Sequence, residues 1–358
     1  MKSLTQWWIN YKPLSKEDFD KVQVTRDNLP HHGELDLHAY EDFDWNCLTE
    51  KLRQRVPLKE SLANHMLYVG DSGTEMIDAL FDKYMDEKTL LITTEIEHTA
   101  VKANIEKYNL ADKCIYINPM TLYDVRSEFK HVDLSKYTRA FVYIIGTNLT
   151  NGNVTPQQYY IDIKEYLEAK GIQTILTIDD VHGFYLIPRD YTIFDYVINT
   201  GHVLTRRFDM GMLWSKTEEK FGKFYDNWLR TYIDALDIML ERKDKLHYWN
   251  RIMRNEFNDI VISSNKLVQF ITDGAEHIFT LKVNCPPKYI YTEEDSLRIE
   301  REKEIKLDDP KDNNSNFFYI RIRASAFTVH PEELEEVLDI IKSIIKKASS
   351  VMQMLENE

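Results

Sequence analysis

Four short stretches of this 358-residue chain place residues capable of chemistry directly after an apolar run. The run MLYV leads into Gly70-Asp71-Ser72-Gly73-Thr74-Glu75, small and hydroxyl residues that open an amphipathic stretch. The free N–H groups and dipole of a helix start suit a phosphate dianion. A plain helix cap made by Ser72 fits the same residues. After TLLITTEIE comes His98, whose ring can stack on a flat heterocycle or only cap the next helix. After FVYIIG come Thr147 and Asn148, with Asn151 and Gly152 close behind. An asparagine amide there can donate to a phenolate oxygen, or serve only the turn that follows. After ILTI come Asp179, Asp180, Val181 and His182. An aspartate at the end of a buried strand is costly without a cationic partner. A protonated pyridine nitrogen is such a partner, and His182 would lie beside the same ligand. Each signal is weak alone; four in order, at consecutive strand ends, reinforce one another.

The elements that must hold these residues are visible as a pattern. From about residue 65 to 215, short apolar runs (HMLYV, TLLIT, RAFVYIIG, QTILTI, YVINT, GMLW) alternate with stretches of helical period. Buried runs of strand length separated by helices mean βαβ units, so the expected class is α/β, a mostly parallel sheet flanked by helices. Ligands of such sheets sit at the C-terminal ends of the strands, where the four stretches fall. Residues 217 to about 256 read as one or two long helices, with Phe221, Phe224, Trp228 and Tyr232 at three- and four-residue spacing. Beyond them HIFTLKV and NFFYIRIRA alternate like half-exposed strands, and PEELEEVLDIIKSIIKKA has a helix face. The expected division is an N-terminal segment 1–60 of unassigned packing, a large domain 61–256 that includes the long connecting helix, and a small α+β domain 257–358.

Composition narrows the function classes. Apolar residues make up 43% of the chain, an ordinary globular share. A formal charge of −14 argues against nucleic acid or an anionic membrane as the main partner. Cys47, Cys114 and Cys285 lack metal-ligand spacing, and their odd count suits a reducing compartment. No leader or spanning segment is evident at the N-terminus, so the expected location is cytoplasmic. His31, His32 and His38 are the one histidine-rich stretch, but adjacent histidines on a strand do not easily share an ion, and no metal is expected.

Over about residues 60 to 345 the chain resembles the fold-type I pyridoxal-phosphate (PLP) enzymes, in particular the class V aminotransferase and cysteine desulfurase branch. The resemblance rests on SGTE, EIEHTAV, IDDVHG, TGH and RIRASAFTVHPEELEEVLDII. It implies phosphate binding by Gly73 and Thr74, His98 stacked on the ring, Asp179 at the pyridine nitrogen and His182 at the phenolic oxygen; Ser72 beside that pair and Asn148 at its strand end complete the expected cofactor-binding set. It also implies Thr200 and His202 at the phosphate. Arg323 becomes the substrate-carboxylate arginine, in step with Ser325 and the pair Glu332-Glu333. A guanidinium fork suits a carboxylate, although Arg323 on a strand also fits a surface ion pair.

One element of the branch is missing. Its Ser-Gly-His-Lys motif carries the lysine that forms the Schiff base, and this chain reads Thr200-Gly201-His202-Val203. Ungapped matching places Val203 at the lysine position, while spacing from Asp179 places Thr205 or Arg206 there. No lysine occurs from Thr200 to Trp214, and Lys216 lies beyond the following strand. Arg206 and Arg207 stay protonated and are weak nucleophiles. A desulfurase also needs a cysteine on a mobile loop, whereas Cys285 follows a strand and suits packing. The expected function is therefore an aminotransferase-like protein that binds PLP or pyridoxamine phosphate (PMP) non-covalently and acts on an amino acid or keto acid. His182 and His202 are the candidate proton shuttles. The competing expectation is a catalytically inactive or regulatory subunit paired with a lysine-bearing homologue. The expected assembly is a homodimer, or in that second case a heterodimer.

Overall fold

A computed structural model describes residues 45–118, 125–148, 152–201, 210–219, 226–271, 277–303, 306–307, 316–323 and 334–356. The larger sheet has seven strands: β1 Met66–Gly70, β2 Thr89–Thr94, β3 Cys114–Ile117, β4 Arg139–Ile145, β5 Gln173–Asp179, β6 Tyr196–Thr200 and β7 Gly211–Ser215. Their order is β1-β7-β6-β5-β4-β2-β3. All pairs from β6 to β3 are parallel, and only β7 runs against its neighbours β1 and β6. This is the mostly parallel α/β sheet that the run-and-helix pattern predicts.

Central strands show why the apolar runs are unbroken. On β4, Phe141 and Tyr143 face one layer while Val142 and Ile144 face the other, because side chains alternate along a strand. The first layer is covered by the helices Gly73–Tyr84 and Thr99–Lys107, through Ile77, Leu80, Phe81 and Val101. The second is covered by Gln157–Glu168, through Tyr160, Ile163 and Leu167. With helices on both faces, neither set can be polar.

The same second layer takes in the helix Trp45–Arg53, which buries Leu48 and Leu52 in the large core. This part of the N-terminal segment, unassigned by sequence, thus belongs to the large domain. Arg55 reinforces it with a two-pronged contact to Asp237. The connecting stretch is two helices, Asp226–Glu241 and Lys243–Ser263. Leu229, Tyr232 and Leu236 of the first enter the large core, and Leu246, Met253 and Phe257 of the second enter the small one.

The small domain carries an antiparallel sheet in the order β10-β11-β9-β8: β8 Val268–Phe270, β9 Ile278–Val283, β10 Lys306–Leu307 and β11 Phe318–Arg323. The helix Leu334–Glu356 seals it with Val337, Leu338 and Ile341. Cys285 lies wholly inside this core, and burial pushes its thiol up to about 11. A thiol so held is a packing group. Among the described residues no helix is long and apolar enough to cross a membrane, and no cluster of His, Cys, Asp and Glu could hold a metal ion. His31, His32 and His38 lie outside the described residues.

Candidate active site

The register of the sheet delivers the predicted residues to one edge. Because β7 runs backwards between β1 and β6, Gly70, Gly211 and Thr200 stand in a single row. Just beyond Gly70 the helix Gly73–Tyr84 begins, capped by Ser72, whose Oγ accepts from the Glu75 N–H at 3.2 Å. The Glu75 carboxylate reaches back to the Asp71 N–H at 2.6 Å, tying down the residue before the cap. The plain helix cap by Ser72 is therefore realised.

Two glycines let strand, loop and helix start close on one another. A Cβ on Gly211 would stand 2.0 Å from the Ser72 carbonyl oxygen, and one on Gly73 would stand 2.7 Å from Thr200 Cγ2. Thr200 is buried, and its Oγ1 has no hydrogen-bond partner among the described residues. An unmade bond of this kind costs roughly 1–3 kcal/mol. An anion seated at the helix start supplies the missing acceptor, so this cradle fits a phosphate.

Asp179 ends β5 in the middle of the same edge and is 4% exposed. Its Oδ2 accepts from the Tyr143 hydroxyl at 2.8 Å and its Oδ1 from the Val181 N–H at 3.2 Å. Burial raises the carboxyl above its ordinary range, while these two donors and nearby His98 pull it back. Among the described residues no lysine or arginine forms a salt bridge with it. A cationic ring nitrogen would supply the charge this buried oxygen pair lacks. His98 caps the helix Thr99–Lys107, its Nδ1 accepting from the Ala100 N–H at 3.2 Å, and its ring is otherwise exposed.

Asn148 is buried, and its backbone makes the turn that follows β4: its N–H donates to Asn153 O and its carbonyl accepts from Gly152 N, both at 2.8 Å. His182 stands in the turn after Asp179 and lines a small cavity together with Thr200, Asn199 and Phe184. The structure thus brings His182 and the Thr200 cradle into contact with one space.

Several participants escaped the sequence reading. Asp180, next to Asp179, is the aspartate whose cationic partner the protein provides. It is fully buried against Arg189 Nε at 3.2 Å and accepts from the Tyr191 hydroxyl at 2.6 Å. Arg189 also donates to the carbonyls of Thr155 and Gly146, each at 3.0 Å. Glu97 is buried beside this site. Its Oε1 accepts from Thr94 Oγ1 at 2.7 Å and from the Ile145 N–H at 3.0 Å, while its Oε2 has no partner among the described residues. Burial above all pushes Glu97 up to about 8. The pairing of two acids in Asp179-Asp180, and Glu97 one residue before His98, were the only sequence signals.

The lysine question is partly answered by position. Lys216 follows β7 at the opposite edge, where its Nζ bonds the Thr192 carbonyl. The five residues of β7, at about 3.4 Å each, separate it from the cradle by about 17 Å, beyond the reach of its side chain. His202, Val203, Thr205 and Arg206 lie outside the described residues, as do Ser325, Glu332 and Glu333. Their flanks are placed: Gly201 N–H bonds Met210 O at 2.9 Å, at the site's edge. Arg323 ends β11 opposite Ile278, and its side chain is outside the described set.

No protein-family model matches the sequence, and no curated protein matches it. Solved structures do. A NifS-like protein from Rickettsia africae ESF-5 aligns at 13% identity over 94% of this chain and 97% of its own, with a TM-score of 0.66. A lysine-to-alanine variant of C-DES, with glycine covalently linked to its PLP cofactor, aligns at 15% identity over 92% and 93%, with a TM-score of 0.61. A lysine-to-alanine variant of the serine palmitoyltransferase of S. paucimobilis, with PLP-linked myriocin bound, aligns at 10% identity over 94% and 85%, with a TM-score of 0.64. The likeness shows the fold: the chain has the architecture of the type I PLP-dependent transferases.

Proposed function

We propose that this protein binds PLP or PMP at the C-terminal edge of the large sheet, without a lysine tether, and acts on an amino acid or keto acid. The observation that carries the reading is the buried Thr200 hydroxyl, without a hydrogen-bond partner among the described residues, beside a helix start that two glycines let approach closely. Asp179, buried and with no lysine or arginine salt bridge among the described residues, supports it from the ring side.

Residues of this chain would share the work as follows. The helix-start N–H groups at Gly73 and Thr74, with the Ser72 and Thr200 hydroxyls, hold the phosphate. Asp179 accepts from the pyridine nitrogen, and Tyr143 fixes the carboxylate for that contact. His98 would stack on the ring, and Asn148 and His182 would meet its phenolic oxygen. Bound there, the coenzyme supplies an electron-accepting ring and an exchangeable carbonyl or amine. Arg323 takes the substrate carboxylate. Proton movement falls to His182 or His202, because a neutral imidazole can accept and return a proton near pH 7. Two of the similar structures carry PLP-linked ligands, glycine in C-DES and myriocin in serine palmitoyltransferase, which supports the choice of coenzyme.

The test is a PLP absorbance titration followed by borohydride reduction and peptide mass mapping. Saturable uptake with no reduced lysine adduct is expected. A lysine adduct would remove the untethered mode, and absence of saturable uptake would remove the reading altogether. Weak uptake, together with solubility only beside a lysine-bearing homologue, would favour the regulatory-subunit reading.

A further inference from the structure

The turn after Asp179 is gripped from two directions. Within the large domain, the Asp180 carboxylate is ion-paired with Arg189, and its carbonyl accepts from the N–H groups of Gly183 and Phe184 at 3.0 and 2.9 Å. From the small domain, His277 Nε2 meets the carbonyl of His182 at 2.6 Å. A carbonyl can only accept, so the ring must carry its proton on Nε2 and donate. His277 is 3% exposed, so an unmade bond there would not be replaced by bulk water.

What His277 is attached to gives the contact its meaning. It stands immediately before β9, whose first residue, Ile278, is the register partner of Arg323 at the end of β11. The end of the small sheet that carries Arg323 is therefore the end held against the His182 turn. Leu186, in the same turn, packs on the cores of both domains and makes an apolar seam beside the hydrogen bond. His182 in turn lines the cavity it shares with Thr200.

We propose that His277 is a positioning residue: its hydrogen bond to the His182 carbonyl ties the Arg323 end of the small sheet to the cofactor turn, coupling capture of a ligand carboxylate to the seating of the coenzyme. The ligand half of this rests on the function proposed above, whereas the tie belongs to the ligand-free chain. The two are tested separately.

The first measurement is amide hydrogen exchange on the ligand-free protein, comparing wild type, His277→Phe and His277→Gln. Loss of the donor in His277→Phe should speed exchange about tenfold at Gly183, Phe184 and Leu186 and at Ile278 and Arg323, the scale of one buried hydrogen bond left unmade. Exchange in β2 and β4 should not change. His277→Gln keeps an N–H at similar reach and should restore the wild-type pattern. Equal protection of the turn in His277→Phe and wild type would overturn the tie.

The second measurement is a double-mutant cycle on PLP-loaded protein with L-alanine as the carboxylate probe, read by cofactor absorbance. His277→Phe should raise the half-saturating concentration about tenfold when Arg323 is present, and by less than twofold when Arg323→Ala is already in place. Equal increments in both backgrounds would make His277 a merely structural residue and refute the coupling. If wild type takes up no PLP, or the loaded protein does not respond to L-alanine, the coupling is refuted with the reading it rests on. The exchange comparison then decides the tie alone.

Discussion

Thr200→Val should move stability and cofactor affinity in opposite directions. Valine matches threonine in shape, so the methyl that packs against Gly73 stays and only the hydroxyl changes. That hydroxyl is buried and has no partner among the described residues. Replacing it with a methyl group removes an unsatisfied donor, whose cost is roughly 1–3 kcal/mol. The ligand-free variant should therefore be more stable by about 1 kcal/mol, allowing for partial relaxation already present in wild type. Binding tells the reverse story. If Oγ1 donates to a phosphate oxygen, its loss removes one charge-assisted bond, roughly 1.5–3 kcal/mol, or about ten- to a hundredfold in affinity. Urea denaturation of the ligand-free protein measures the first effect, and a PLP titration measures the second. Misfolding cannot mimic the result, because it would lower both. Retained PLP affinity, or a ligand-free variant less stable than wild type, would refute the assignment of Thr200 to an anion.

Two further outcomes follow from buried charges. Glu97 is held up to about 8 by burial, against 4.5 for its ordinary value. A carboxyl raised on folding contributes its full stability below pH 4.5 and loses it as pH climbs through about 8. The unfolding free energy from urea denaturation should fall from pH 5 toward pH 9 by an amount on the order of a few kcal/mol, and Glu97→Gln should flatten that fall; parallel curves for the two proteins would contradict it. Arg189→Met leaves the Asp180 carboxylate buried and uncompensated, at a cost of about 3–5 kcal/mol. The same variant should weaken PLP uptake, since the turn bearing His182 loses its anchor; a urea shift under about 1 kcal/mol would show that the pair is not structural.

Sequence reading went furthest where local pattern and burial coincide. The unbroken runs of β2, β4, β5 and β6 announce strands covered on both faces, and the helical periods between them force parallel pairing. From those two facts the edge that holds Ser72, His98, Asn148, Asp179 and Thr200 follows without any tertiary information. The segment Trp45–Arg53 was not assignable, because a short amphipathic stretch does not say which of two cores it joins.

The site's finer organisation was decided by the fold alone. Which of two adjacent aspartates receives a cation depends on the side of the strand end each one occupies, and Arg189 reaches Asp180. Tyr143 meets Asp179 across neighbouring strands, a pairing fixed by register. His277 and His182 are far apart in the chain and meet only when the two domains dock. Sequence by itself determined the kinds of residue available, the strand ends that present them and the lack of lysine between Thr200 and Trp214. Tertiary structure determined which of those polar groups satisfy one another and which, like the Thr200 hydroxyl, find no partner among the described residues. The reason is physical: periodicity is local and leaves its mark along the chain, whereas hydrogen bonds across strands and domains depend on register and docking, which only the packed whole sets.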